Sequence, residues 1–293
     1  MEASVSSVKN DAILVTGASG FIGSHLTRAL EARNCRVFRH DRKSGDIATC
    51  PLVFEDVGHV LHLAGRTFVQ ESWEQPREFY EANVLGAANV LEFCRRRNAS
   101  ITLISSYVYG KPKWLPIGED HPVQAFNPYA HSKILAEEIA RYYQSQFGVS
   151  LTIVRPFNIY GPGQDGPFLI PMLIRQALDP TSKQIVVADL RPRRDYLHIR
   201  DFVAMLIAAM EHPSGAILNA GSGESVSIPA LVELINKMVP SSKPVVSREQ
   251  FRPDEVLDVV ADISRAKREL NWQPSVALAQ GLSETIEWMK AKR

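Results

Sequence analysis

Hydrophobic positions in this chain fall into two rhythms. Ala12-Ile13-Leu14-Val15 is a short continuous apolar run that stops at glycines, and beyond it Phe21, Ile22, Leu26 and Leu30 recur at helical spacing. A buried strand, a tight turn and a helix are the elements this pattern predicts. Arg36-Val37-Phe38-Arg39-His40 reads as a second strand ending at Asp41, and Val60-Leu61-His62-Leu63-Ala64-Gly65 as the fourth. Apolar stripes mark two amphipathic helices, around 83–97 and 129–147, whose faces could serve the chain's own core or a subunit interface. Strands and helices alternate through residue 160, as a parallel doubly wound sheet requires. The segment between Asp41 and Val60 is unusually short, which can leave one strand or crossover helix vestigial. After Gly161-Pro162-Gly163 the chain is richer in Pro and loops, which fits a smaller C-terminal lobe. The predicted class is α/β, with residues 1–160 in the larger domain and 161–293 in the smaller.

Composition narrows the setting. The chain has 293 residues, 45% hydrophobic and 22% charged, enough for a substantial core in a soluble globular protein. A net charge of +1 offers no global attraction to nucleic acid or membranes. Three cysteines without Cys-x-x-Cys spacing argue against a disulfide scaffold or a metal site, and for a reducing compartment. Met1 to Asn10 is polar and lacks the apolar core of a signal peptide, and the longest greasy stretch, 203–210, is too short to span a bilayer. A cytoplasmic location is expected.

Between the first strand and helix stand Gly17, Gly20 and Gly23, spaced Gly-x-x-Gly-x-x-Gly. Gly17 permits the turn, Gly20 lets backbone approach a pyrophosphate at the positive helix end, and Gly23 allows close helix packing. That placement favours dinucleotide binding over an ordinary loop. Asp41 closes the second strand, where a carboxylate can accept from both adenosine ribose hydroxyls, favouring NAD. Arg42 and Lys43 follow at once and could hold a 2′-phosphate, so NADP stays possible. His62 reads as a satisfied core histidine.

Tyr129 and Lys133 stand four apart in Asn127-Pro128-Tyr129-Ala130-His131-Ser132-Lys133. On a helix they share a face, so the ammonium can stabilise a phenolate and bring a group with a free pKa of about 10 nearer neutrality. Tyr129 is thereby a candidate acid/base at a carbinol or ketone.

These runs, taken with Asn83-Val84-Leu85-Gly86, Ser105 to Gly110, Arg155-Pro156-Phe157-Asn158, Arg194-Asp195-Tyr196-Leu197-His198-Ile199 and Asn219 to Gly223, resemble the extended short-chain dehydrogenase/reductase family. Within it the likeness is to sugar-nucleotide epimerases, dehydratases and ketoreductases, and it covers nearly the whole chain. It implies a Rossmann-type sheet to which the chain returns around 195–223, and a smaller substrate-binding lobe. It implies NAD or NADP held by Gly17, Gly20, Phe21, Ile22, Gly23, Asp41, Arg42, Asp46, Ile47, Leu63, Ala64, Gly65 and Pro156, with Asp46-Ile47 near the adenine. Ser105, Tyr129 and Lys133 correspond to the catalytic set, Ser105 binding the oxygen at the reacting carbon and Lys133 the nicotinamide ribose. Ser106 and Tyr107 accompany them at the sugar. Asn158, Arg194 and Arg252 correspond to contacts of the substrate diphosphate, although Arg252 also reads as a surface arginine. The two amphipathic helices correspond to those of a homodimer interface.

Departures from the family pattern matter equally. Dehydratases and decarboxylases place an acid just after the catalytic Ser or Thr, where this chain has Ser106 and Tyr107. A 4-epimerase of a nucleotide-diphosphate sugar, with transient oxidation at C4, is the preferred reading. A 4-ketoreductase of a 4-keto-6-deoxy sugar nucleotide is the nearest alternative, and a non-catalytic dinucleotide sensor is an alternative of another class.

Overall fold

The computed structural model describes residues 12–240, 242–251 and 255–292. They form two compact units.

The first unit takes in residues up to Gly110, 122–155 and 203–218. Its strands are β1 (Ala12–Thr16), β2 (Val37–His40), β3 (Val57–His62), β4 (Ser100–Ile104) and β5 (Leu151–Pro156), the last ending at the unit's border. With strand Ile217–Ala220 they make a six-stranded parallel sheet ordered β2, β1, β3, β4, β5 and that last strand. β1 is wholly buried, which explains why it reads as a continuous apolar run without alternation. Helix α1 (Phe21–Ala32) follows β1, and short helices α2 (Val69–Glu74) and α3 (Pro76–Tyr80) follow β3. A π-helical turn at Glu81–Leu85 then leads into α4 (Gly86–Arg97), and α5 (Pro128–Phe147) precedes β5. Leu14, Val60, Ile101, Leu103, Leu151 and Ile153 from the sheet pack with Val90, Leu91 and Phe93 of α4 in one buried cluster. At about 25 cal/mol per Å² of apolar surface, such burial is the main force closing the unit.

Two expectations meet the structure here. Residues 41–56 form turns and bends with neither helix nor strand, so β2 is the sheet edge. The strand read as fourth is therefore the third in chain order, because too little chain separates it from β2 to build another crossover. It also starts and ends three residues earlier than read, leaving Leu63-Ala64-Gly65 as a loop beyond its C-terminal end.

The second unit takes in 111–121, 156–202 and the described residues from 219 onward. It has a three-stranded sheet of Ser225–Ser227, Arg193–His198 and Asn158–Tyr160, and a two-stranded pair of Ile185–Val187 with Val245–Ser247. Helices Leu169–Leu178, Ile228–Asn236 and Leu278–Ala291 contribute Leu173, Ile174, Leu231, Ile235 and Leu282 to a core of its own. Among the described residues no helix is long and apolar enough to cross a membrane.

Candidate active site

The loop after β1 has a shape that only glycine allows. Gly17 has φ 68°, and a side chain on it would meet the Ala64 amide nitrogen at 2.8 Å. A Cβ on Gly23 would lie 2.1 Å from the Gly17 carbonyl oxygen, so the first turn of α1 rests directly on the loop. Gly20 is the N-cap of α1, with no side-chain cap and no acidic residue in the first turn. The positive helix end is thus left for an anion supplied from elsewhere.

Asp41 sits at the end of β2. Its Oδ1 accepts from the amides of Lys43 (2.9 Å) and Ser44 (3.3 Å) and from the Ser44 hydroxyl (3.4 Å). These bonds and one from the Ser19 side chain outweigh partial desolvation and lower its pKa, keeping it anionic. Arg42 is exposed. In the following loop the Asp46 carboxylate accepts from the Ala48 amide (2.8 Å), while the Ile47 side chain is buried in the core.

Beyond β3, Thr16 joins two of the predicted loops. It accepts from the Ala64 amide (3.2 Å), and its hydroxyl lies 2.7 Å from Nδ1 of His62. Burial holds the His62 pKa at about 3, with the nearby Lys133 and His40 adding to the fall, so the ring is neutral, as expected of a core histidine. Asn83, from the π-helical turn, accepts from the Arg66 amide (2.8 Å) and donates to the Arg66 carbonyl (3.1 Å) and the Ser132 hydroxyl (2.9 Å). It thereby ties the 63–66 loop to α5.

Helix α5 begins where its sequence says it should. Asn127 caps it by accepting from the Ala130 amide (2.8 Å), and Pro128 occupies the first turn. Tyr129 is therefore held in that turn, its ring edge-on to Phe79 at 6.2 Å between centroids. Lys133, one turn on, is buried and donates to the carbonyl of Ile104 at 2.7 Å. That carbonyl ends β4, immediately before Ser105, so the two catalytic candidates on α5 are fastened to the strand end carrying the third. Ser105 is 4% exposed, and its hydroxyl has no hydrogen-bond partner among the described residues. A buried hydroxyl left unpaired costs about 1–3 kcal/mol; the Thr152 hydroxyl shares that state, and what distinguishes Ser105 is its place at the strand end that Lys133 contacts.

The expected lowering of the Tyr129 pKa is not what the structure shows. Burial raises it, and the hydrogen bond with the Ser106 side chain only partly offsets that rise. Lys133 is itself desolvated, with its pKa lowered to about 8 although Glu137 raises it, and its ammonium is directed to Ile104. Spacing of four on a helix gives a shared face, not a charge aimed at the phenol. Behind Lys133, Glu137 accepts two bonds from Arg155, at 2.9 and 2.6 Å, with both side chains buried. Tyr107, expected at the sugar, donates to the Gly110 carbonyl at 2.5 Å.

Asn158 and Arg194 lie in the second unit. Asn158 donates to the Asp195 carbonyl (2.9 Å). Arg194 donates to the carbonyls of Arg193 (2.9 Å) and Val256 (2.7 Å) and to the carboxylate of Glu255. Pro156 is buried at the end of β5. Arg252 lies outside the described residues.

Residues 13–221 match the signature of the NAD dependent epimerase/dehydratase family. The chain belongs to that family. Among its relatives, a UDP-N-acetyl-alpha-D-glucosaminuronate decarboxylase of Bacillus cytotoxicus is 32% identical over 94% of this chain and 97% of its own. A GDP-6-deoxy-D-mannose reductase of Pseudomonas aeruginosa is 30% identical over 94% and 96%, and a UDP-glucose 4-epimerase of Lactobacillus helveticus 29% over 89% and 92%. The structure of MoeE5 in complex with UDP-glucose and NAD superposes with a TM-score of 0.88 at 29% identity, covering 96% of this chain and 99% of that one.

Within this family member the cradle fits a dinucleotide. Gly17 and Gly23 have no room for side chains, the end of α1 has no side-chain cap and Asp41 is charged. Thr16, Asn83 and Glu137 are the residues that sequence reasoning passed over, although Asn83 opens one of the family-like runs. Their partners lie 46, 49 and 18 residues away, beyond the reach of local spacing.

Proposed function

We propose that this protein is an NAD-dependent sugar-nucleotide 4-epimerase. The observation that carries the reading is the buried, unpaired Ser105 hydroxyl at the end of β4, to which Lys133 is bonded through the Ile104 carbonyl and Tyr129 through the neighbouring Ser106. Gly17, Gly20 and Gly23 would admit the pyrophosphate, Asp41 the adenosine ribose and Lys133 the nicotinamide ribose. The nicotinamide, when bound, supplies a hydride acceptor that can become a donor. Ser105 donates to the oxygen on the reacting carbon and fixes its position. As a phenolate Tyr129 would take the hydroxyl proton and later return it; because burial raises its pKa, it must first release its own proton to solvent, which the positive charge of a bound oxidised nicotinamide beside it would favour. Asn158 and Arg194 are assigned to the diphosphate, Arg194 by exchanging Glu255 for it.

Asp41, anionic and held by three hydrogen bonds to the turn that follows it, favours NAD and with it a redox-neutral cycle. The ketoreductase reading draws on the exposed Arg42 next to it. Incubation with UDP-, GDP- and dTDP-sugars separates the two. An epimerase interconverts two sugar nucleotides without net change in nicotinamide absorbance, whereas one reduced cofactor consumed per turnover would establish the reductase. Absence of both outcomes on every sugar nucleotide would favour the sensor. A cytoplasmic homodimer through α4 and α5 completes the proposal, supported by the outward-facing Tyr142 and Phe147, and light scattering in solution tests its mass.

A further inference from the structure

Residues 41–56 carry no regular structure and flank an edge strand, so no sheet neighbour fixes their path. Something else must hold them, because a loop that is free before binding loses conformational entropy when a ligand orders it. Asn89 of α4 meets that need. Its carboxamide nitrogen donates to the carbonyls of Ile47 (2.8 Å) and Cys50 (2.9 Å), so both amide hydrogens are used on this one loop. Gly86, one turn earlier on the same helix, leaves room for the Ile47 side chain, since a Cβ there would lie 2.9 Å from Ile47 Cγ2. Within the loop the Cys50 amide donates to the Asp46 carbonyl at 2.7 Å, closing a turn around the held carbonyls.

Ile47 has its side chain buried and its carbonyl held by Asn89, and the peptide plane that carries its N–H is fixed through the Asp46 carbonyl, which accepts from the Cys50 amide at 2.7 Å. Its own N–H has no protein partner among the described residues, and it stands beside the exposed Asp46 carboxylate. A donor and an acceptor side by side suit a base edge that offers the reverse pair.

We propose that Asn89 is a positioning residue for the adenine half of the dinucleotide. Together with Gly86 it holds Ile47 and Asp46 in the binding orientation in place of a missing sheet neighbour. The inference rests on the dinucleotide reading above, with Asp46-Ile47 at the adenine. The same helical run then braces both cofactor loops, through Asn83 at 63–66 and Asn89 at 47–50.

Calorimetric binding of AMP, NADH and reduced nicotinamide mononucleotide to wild type, Asn89→Ala and Asn89→Asp tests this, with melting temperature as the measure of folding. Asn89→Asp keeps the shape but sets a carboxylate against two carbonyls. Both variants should bind AMP and NADH roughly tenfold more weakly, the equivalent of about 1.4 kcal/mol, and the mononucleotide as wild type does. Should Asn89→Ala fail to fold, Gly86→Ala pushes the same loop from below and should show the same selective loss. Unchanged AMP affinity in a folded variant overturns the proposal, as does a parallel loss for AMP and the mononucleotide, which would mark general damage. A wild type that binds none of the three would overturn the dinucleotide reading itself, and the proposal with it.

Discussion

Two polar clusters in this protein handle their hydrogen bonds in opposite ways. In the second unit Asp195 is fully buried, yet its Oδ1 accepts from the Ser222 amide (2.6 Å) and hydroxyl (2.7 Å) and its Oδ2 from the amides of Gly223 and Ala261 (both 3.0 Å). Desolvation raises its pKa against these bonds, and the carboxylate joins three chain segments. In the first unit, among the described residues, the Ser105 hydroxyl has no partner, the Tyr129 phenol is paired with Ser106, and Lys133 donates to the Ile104 carbonyl. Burial is common to both, so burial alone does not separate structure from chemistry. These two clusters differ in how far the folded chain satisfies the polar groups by itself.

The sharpest break in this comparison would be a dispensable Tyr129. Tyr129→Phe should lower turnover by roughly 10²–10⁴ while leaving dinucleotide affinity nearly intact, since the ring keeps its packing against Phe79. Near-normal single-turnover rates in the Phe variant would remove the chemical half of the contrast.

A pair of stability measurements probes the other half. Asp195→Asn turns an amide toward backbone donors and should cost about 3 kcal/mol in chemical denaturation. Ser105→Ala should leave stability unchanged or raise it, because an unpaired hydroxyl is removed and no bond is lost, yet should cut activity sharply. Equal costs would dissolve the distinction.

Arg194 is the intermediate case, a predicted substrate contact that the fold already satisfies. A double-mutant cycle of Arg194→Met with Glu255→Gln should give a coupling of about 0.5–3 kcal/mol in stability. Substrate binding should weaken in Arg194→Met and tighten modestly in Glu255→Gln if the guanidinium is shared. Unchanged binding in both would make Arg194 purely structural.

A further test concerns pH. Lys133 has its pKa lowered from 10.5 to about 8, so between those values the unfolded chain carries a proton that the folded one does not. Its destabilising contribution is fully present below pH 8 and fades as pH rises toward 10.5, so stability should climb through that window. Lys133→Met should flatten the climb, and an identical profile in both proteins would deny the shift.

Much of this was legible from residue order. The apolar run of β1, the glycine spacing, the amphipathic stripe of α5 and its Asn-Pro start each express a local rule of backbone geometry, and the structure obeys them. The short interval after Asp41 likewise announced the absent strand, because a crossover needs more chain than is there. Local rules do not, however, say where a side chain's hydrogen bonds end. That Lys133 turns to Ile104, that Arg194 is taken by Glu255, and that Asn83 and Asn89 brace separate loops depends on partners 29, 61, 49 and 42 residues away. Only packing brings such groups together, and desolvation then sets their charge. The sequence by itself determined which chemistry is carried, and the tertiary structure decided which polar groups remain free to perform it.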